Sequence, residues 1–287
     1  MVIAIVPAFN EEETISEVIT RLQPFVDKVI VIDDGSRDAT VERAVAAGAE
    51  VLRHQINRGQ GAALETGRIA ALKLFALQSD SGSSTLRLGS LQPGSGSSTD
   101  IIITFDADGQ FNAEEIPALL APIKAGECDV VLGSRFLRQL SSPLEGEAGR
   151  GLSGLSLSDS QSERAQDAKY GEAGRDLVSA DKKSDIPPLR RLLLKSALIF
   201  TRLTTGLRIT DTHNGFRAFS RGAAEKIHIT QDKMAHASEI LERIAQSGLK
   251  YKEVPVTIKY TEYSLGKGQK LGDFIKILKD LFWGKML

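Results

Sequence analysis

The sequence predicts an α/β protein with a mostly parallel sheet flanked by helices. Three observations lead there. Short runs rich in Val and Ile are continuously apolar rather than alternating, helical patterns separate them, and polar clusters follow directly where the runs end. Continuously apolar strands are those covered on both faces, and intervening helices provide the cover. In such sheets ligands sit outside the carboxyl ends of the strands.

Strands are expected at Val2–Val6, Lys28–Asp33, Glu50–Arg53, Ile101–Asp106 and Asp129–Gly133, each bounded by turn residues. Helices are expected at Glu12–Leu22, Thr40–Ala47, Gly59–Leu77 and Ala113–Ala125. Two segments break the pattern. The stretch 78–99 is Ser- and Gly-rich and contains Gly-Ser-Ser-Thr twice, and 140–184 contains Gly-Glu-Ala-Gly-Arg twice. Neither can bury much apolar surface, so both read as mobile insertions in a single domain spanning 1–287. The first precedes a strand and leaves from the end of the sheet away from the ligand, whereas the second follows a strand on the ligand side. Beyond it, Leu189–Leu207 reads as a helix with an apolar face and a basic cluster at Arg190, Arg191 and Lys195. Ala237–Gln246 reads as a helix, Lys252–Tyr260 as a strand and Asp273–Phe282 as a helix.

Composition narrows the function. The 287 residues are 41% hydrophobic and 25% charged, ordinary for a globular protein. A formal net charge of −1 argues against a general nucleic-acid-binding surface, which needs a concentrated basic face. Cys128 stands alone, which excludes an intrachain disulfide and a cysteine-based zinc cluster and fits a reducing, cytoplasmic setting. The N-terminus lacks the basic region and long apolar run of a signal peptide, and no stretch approaches the roughly 18 apolar residues of a membrane span.

The chemistry-bearing clusters lie at strand ends. Phe105-Asp106-Ala107-Asp108-Gly109-Gln110 puts two carboxylates where an apolar strand enters a loop. They repel each other and are costly to bury unless a cation joins them, and a hard divalent ion such as Mg²⁺ or Mn²⁺ suits oxygen ligands with positions left for phosphate. A helix N-cap or a turn is the other use of such aspartates. Asp33-Asp34-Gly35-Ser36-Arg37-Asp38 offers a carboxylate to a base or ribose, or a turn into a capped helix. Pro7-Ala8-Phe9-Asn10-Glu11-Glu12 either caps the next helix or faces a nucleotide lying across the strand ends. No Gly-x-Gly-x-x-Gly or Gly-Lys-Ser/Thr follows a strand, so a diphosphate here is held by metal rather than by a glycine loop.

In order and context, Pro7–Glu12, Asp33–Asp38, Asn57–Gly61 with Ala62-Ala63-Leu64, Asp106–Gln110 and Gly133-Ser134-Arg135 resemble glycosyltransferase family 2. The similarity is strongest to the branch of dolichyl-phosphate mannose synthase and bacterial polyprenyl-phosphate glycosyltransferases. It covers nearly the whole chain outside the insertions. It implies a GT-A fold, with a Rossmann-like nucleotide half joined to an acceptor half. It also implies that Pro7, Ala8, Asn10 and Glu11 contact the nucleoside and that Asp34 reads the base. Asp106 and Asp108 then meet metal and diphosphate, with Gln110 as a further metal ligand. Gln60 stands where relatives often carry Lys, so no nucleotide contact is carried to it.

In the second half, Asp211-Thr212-His213-Asn214-Gly215-Phe216-Arg217 resembles the segment that lies beside sugar and acceptor in the same branch. Asp211 is placed near the attacking oxygen, with a satisfied turn as its alternative. Arg217 is placed on the nucleotide sugar, with a structural ion pair as its alternative. His213 reads as a packed imidazole rather than a ligand. Glu239 occupies about the place of the base in hydroxyl-glycosylating relatives, or is an exposed helix residue. Lys267 and Lys270 lie in a loop similar to one that closes over donor phosphate, or in a solvated basic loop. Arg135 suits an anionic acceptor.

The expected activity is therefore metal-dependent, inverting transfer from a nucleoside-diphosphate sugar. The leading acceptor is polyprenyl phosphate at the cytoplasmic membrane face, with Arg190, Arg191 and Lys195 resting on anionic lipid. A soluble transferase acting on a hydroxyl, and a nucleotidyltransferase or non-catalytic binding protein, are the rival readings. A homodimer through the C-terminal helices is a further expectation.

Overall fold

The computed structural model describes residues 1–81, 100–137, 202, 205–212, 214–233 and 235–259. The chain divides into two compact units, Met1–Arg138 with Ala197–Leu287, and Gln139–Ser196, and every described residue belongs to the first. Most of 78–99, all of 140–184, Arg190, Arg191, Lys195, His213, Lys267, Lys270 and the helix expected at Asp273–Phe282 lie outside the described residues.

The strands are β1 (Val2–Ala8), β2 (Lys28–Asp33), β3 (Glu50–Arg53), β4 (Ile101–Thr104), β5 (Val130–Ser134), β6 (Arg217–Ser220) and β7 (Tyr251–Pro255). They form one sheet in the order β3-β2-β1-β4-β6-β5-β7. β2 with β3, β1 with β2, β1 with β4 and β5 with β7 pair in parallel, and β6 lies antiparallel between β4 and β5. The mostly parallel sheet is as expected. β6 is not among the expected strands: only four residues long and opened by Arg217, it carries too little apolar pattern to read as one.

The helices are α1 (Ile15–Leu22), α2 (Thr40–Ala46), α3 (Gln60–Ser81), α4 (Ile116–Lys124), α5 (Arg221–Lys226) and α6 (His236–Gln246), with a 3₁₀ turn at Ala113–Glu115. The period of two sorts each strand's side chains between two layers. Val2, Ala4 and Val6 pack with Ile15, Val18, Ile19 and Leu22 of α1 and with Ile116, Leu119 and Leu120 of α4. Ile3 and Ile5 pack on the opposite face with Ala63, Leu64 and Phe75 of α3 and Ile240 and Ile244 of α6. Phe75 is fully buried, and its truncation to Ala costs about 3–5 kcal/mol.

Helix boundaries shift for local reasons. α1 begins at Ile15 rather than Glu12, because the N–H groups of Asn10, Glu11 and Glu12 donate to Ser36, Thr40 and Asp38 of the next loop instead of entering a helix. α3 runs on to Ser81, since extending a formed helix needs little from each added residue. At the opposite end of the sheet from the carboxyl-end loops, the N-terminal ammonium of Met1 pairs with Asp100 at 2.9 Å.

Candidate active site

The loops leaving β1 and β2 are joined to each other before they meet any ligand. Asn10 N–H donates to Ser36 Oγ at 2.8 Å and Arg37 N–H to Asn10 Oδ1 at 2.9 Å. Glu11 N–H reaches Thr40 Oγ1 at 2.8 Å and Glu12 N–H reaches Asp38 Oδ2 at 3.2 Å. Asn10 adopts a φ of +54°, in the left-handed region that Asn tolerates better than most residues. Burial pushes the Asp38 carboxyl upward, but hydrogen bonds from Thr40 and from the Glu12 N–H hold it below its ordinary value. Pro7 and Ala8 end β1 in register with Ile32 and Asp33, so the expected nucleoside contacts share one strand end.

Asp34 is buried and well engaged. Its carboxylate accepts from Arg58 N–H at 2.9 Å, Gly59 N–H at 2.7 Å and the Nδ1 of His54 at 2.7 Å. It thereby ties the end of β2 to the start of α3. Close packing against the Gln231–Lys233 segment accounts for two glycines there. A Cβ on Gly59 would stand 2.3 Å from the Asp232 carbonyl, and one on Gly61 1.9 Å from that of Gln231.

The acidic loop rests on aromatic rings. Phe105 packs edge-on against Phe111 and Phe216, with centroids 5.4 and 5.2 Å away, and Phe111 stacks on Phe216 at 5.2 Å. These rings anchor both ends of the loop and the segment preceding Arg217. Gln110 N–H donates to Asp108 Oδ1 at 3.0 Å, and Gln60 Nε2 donates to Asp106 Oδ1 at 2.9 Å. A Cβ on Gly215 would fall 2.6 Å from Asp106 Oδ2, so only glycine leaves this carboxylate its place.

Burial, then the charge of Asp108, push the Asp106 carboxyl up to about 7; Arg217 and the Gln60 hydrogen bond oppose the shift, and Glu11 adds to it. Arg217 is buried, and burial lowers its guanidinium to about 10 against the pull of Asp106 and Asp211. Arg217 thus supplies a compensating charge that the local sequence around Asp106 lacks. Among the described residues no group of three or more His, Cys, Asp or Glu side chains is arranged to hold a metal ion. The candidate donor set stays the one that the family resemblance implies, Asp106, Asp108 and Gln110. Two neighbouring carboxylates, one of them raised by burial and then by the other's charge, fit a divalent cation that takes its remaining ligands from phosphate and water.

On the other side of β6, Arg135 follows β5 and grips Asp211 through Nε to Oδ2 at 2.7 Å and Nη2 to Oδ1 at 2.8 Å. The Asp211 side chain is 1% exposed and that of Arg135 28%. Glu253 of β7 accepts from the N–H groups of Thr210 and Asp211, and burial raises its carboxyl against these hydrogen bonds. Glu239 is not an exposed helix residue. It is buried, and its carboxylate takes the Thr230 hydroxyl at 2.6 Å, the Thr230 N–H at 2.9 Å and the Gln231 N–H at 2.8 Å.

The structure therefore gathers Glu11, Asp106, Asp108, Asp211 and Arg217 around the ends of β1, β4 and β6, with the Arg135–Asp211 pair beside them. Sequence reasoning missed Gln60 and Glu253. A carboxylate within a half-apolar strand, as in Tyr251-Lys252-Glu253-Val254, is a signal that would have marked the second, because a charge there needs partners.

Solved structures share this architecture. Glucosyl-3-phosphoglycerate synthase from Mycobacterium tuberculosis, in complex with Mg²⁺ and UDP, matches 95% of this chain and 73% of its own at a TM-score of 0.56 and 19% identity. The same enzyme with Mn²⁺ and UDP-glucose matches 98% and 76% at 0.54 and 18%. Fold and strand-end carboxylates together define a GT-A glycosyltransferase. The model of glycosyl transferase family 2 matches residues 3–71 and 95–227, and the chain belongs to that family. An uncharacterized protein of Methanocaldococcus jannaschii is 30% identical over 99% of this chain and 92% of its own. UDP-N-acetylglucosamine–dolichyl-phosphate N-acetylglucosaminyltransferase of Methanococcus voltae is 26% identical over 100% and 96%, and polyprenol monophosphomannose synthase of Mycolicibacterium smegmatis 26% over 98% and 86%.

Proposed function

We propose that this glycosyltransferase moves a sugar from a nucleoside diphosphate to a polyprenyl phosphate, with inversion, at the cytoplasmic face of a membrane. The observation that carries the acceptor class is the state of the two candidate bases. A hydroxyl acceptor needs a group to take its proton, whereas a phosphate monoester is already ionised near neutral pH. Both Asp211 oxygens are held by Arg135, and Glu239 is committed to Thr230 and Gln231. Neither is poised as a base, and an anionic acceptor requires none. The relatives that act on dolichyl phosphate or make polyprenol monophosphomannose support the same choice.

In this reading the Pro7–Glu11 and Asp34 loops seat the nucleoside. Asp106, Asp108 and Gln110 would hold Mg²⁺ or Mn²⁺, which would offset negative charge on the diphosphate leaving group. Arg217 balances charge beneath that loop. Arg135, partly exposed, draws the acceptor phosphate in, and Asp211 fixes its guanidinium beside the sugar. The phosphate oxygen then forms the new bond to the anomeric carbon as the bond to the diphosphate breaks. Lys267 and the basic cluster at Arg190, Arg191 and Lys195 serve as donor and membrane contacts from sequence alone. Among the described residues no helix is long and apolar enough to cross a membrane.

The test is a donor and acceptor panel. UDP-glucose, UDP-N-acetylglucosamine and GDP-mannose are offered with Mn²⁺, Mg²⁺ or chelator, against dolichyl phosphate, undecaprenyl phosphate and 3-phosphoglycerate. Transfer to the lipid phosphates that disappears in chelator is expected, together with co-sedimentation on anionic liposomes at low salt. Transfer only to the water-soluble acceptor sinks the lipid reading, and full activity in chelator sinks the metal.

A further inference from the structure

We propose that Glu253 is a positioning residue for sugar transfer, fixing both Asp211 and the Ser134–Phe136 turn that carries Arg135. The inference rests on the reading above, in which Asp211 and Arg135 act beside the transferring sugar.

Glu253 lies on β7, in register with Leu132 of β5. Its two carboxylate oxygens stand 2.8 and 2.9 Å from Thr210 N and 3.1 and 3.0 Å from Thr210 Oγ1, and Oε1 stands 3.2 Å from Asp211 N. An ionised carboxylate only accepts, so the Thr210 hydroxyl gives its single hydrogen to Glu253. Thr210 Oγ1 must then accept from Ser134 Oγ, 2.6 Å away. Ser134 Oγ in turn accepts from Phe136 N–H at 3.2 Å.

The direction of every link follows from the charge at one end. The chain runs from the Phe136 amide through the Ser134 and Thr210 hydroxyls to the Glu253 carboxylate. Ser134 and Phe136 bracket Arg135, and Thr210 precedes Asp211. One carboxylate therefore orients both flanks of the Arg135–Asp211 pair. Placing a partly buried charge in a strand is costly where Val or Thr would serve the sheet as well. Its three donors, the Thr210 N–H, the Thr210 hydroxyl and the Asp211 N–H, all lie next to that pair.

The test uses full-length protein with dolichyl phosphate and, separately, UDP-N-acetylglucosamine and GDP-mannose, each with Mn²⁺. Glu253→Gln keeps the side-chain size but turns an amide N–H₂ toward the donors. Thr210→Val cuts the same chain one link on, and Thr210→Ser restores it. We expect kcat per folded molecule to fall tenfold or more in Glu253→Gln and Thr210→Val and to return in Thr210→Ser, with donor Kd within twofold throughout. In an Asp211→Asn background, Glu253→Gln should add little further loss, because both changes remove the same alignment. A kcat within twofold of wild type in both Glu253→Gln and Thr210→Val overturns the proposal, as do additive losses in the double variant. An Asp211→Asn variant with undiminished kcat is the failure of the underlying reading and takes this proposal with it.

Discussion

Arg135 and Asp211, 76 positions apart in sequence, meet in a two-point ion pair in which Nε donates to Oδ2 and Nη2 to Oδ1. The paired geometry requires the flat fork of a guanidinium, which an ammonium cannot reproduce. Arg135→Lys keeps the charge and loses the second hydrogen bond. We predict a kcat at least tenfold below wild type, with donor Kd changed less than threefold, read from steady-state kinetics and calorimetric titration of the donor. An unchanged kcat would show that the fork geometry is irrelevant to transfer.

Glu239 offers the contrasting case. Its carboxylate closes the Thr230–Gln231 turn onto α6, which is a structural duty. Replacing it by Gln leaves backbone donors facing an amide, at a cost of about 1–3 kcal/mol. The prediction is a lowered thermal midpoint with kcat per folded molecule within twofold of wild type. A hundredfold loss of kcat at unchanged stability would restore Glu239 as a base.

These residues also mark how far the sequence could be read. β1 and β2 were legible because Val- and Ile-rich runs covered on both faces stand out; the expected β2 and β3 coincide with the observed strands, although β3 is a largely exposed edge strand. Asp106 and Asp108 stood out as candidates because two carboxylates at a strand end repel each other and are costly to bury. β6 was not, since its place depends on pairing with Thr104 and Leu132, both more than eighty residues away in sequence. The charge balance at the site was hidden for the same reason: Arg217 reaches Asp106 only through that pairing. Glu239 stayed open between a base and an exposed helix residue because a helix pattern does not say which backbone amides will come to meet it.

Gly215 carries a prediction from shape alone. Its carbonyl is held by Thr104 Oγ1 at 2.6 Å, and a Cβ would stand 2.6 Å from Asp106 Oδ2. In Gly215→Ala the carboxylate must turn away and the Gln60 hydrogen bond must break or bend. Because the obstacle is the end of a side chain, the fold should survive. Calorimetric titration of Mn²⁺ with UDP should show at least a tenfold weaker metal site, with the thermal midpoint of the metal-free protein lowered by only a few degrees. Wild-type metal affinity in a folded Gly215→Ala protein would remove Asp106 from the ligand set.

The last prediction follows from the carboxyl of Asp106, raised to about 7 by burial and by the charge of Asp108. A carboxyl whose pKa is higher in the folded than in the unfolded chain binds its proton more tightly when folded. Without metal, the stability attached to this proton is present below the unfolded value near 4 and is lost as pH rises through about 7. At pH 8 the metal-free protein therefore carries an ionised carboxylate against its neighbours' repulsion. Asp106→Asn removes that charge. In chelator at pH 8 the variant should unfold at a higher temperature than wild type, and the gap should shrink or reverse at pH 5. Adding Mn²⁺ should invert the order at pH 8, because only the wild type gains the full binding free energy of the ion. Thermal scans at the two pH values, with and without Mn²⁺, provide four comparisons. A variant less stable than wild type in chelator at pH 8 would mean that Arg217 and Gln60 already neutralise the site, leaving the cation no repulsion to relieve.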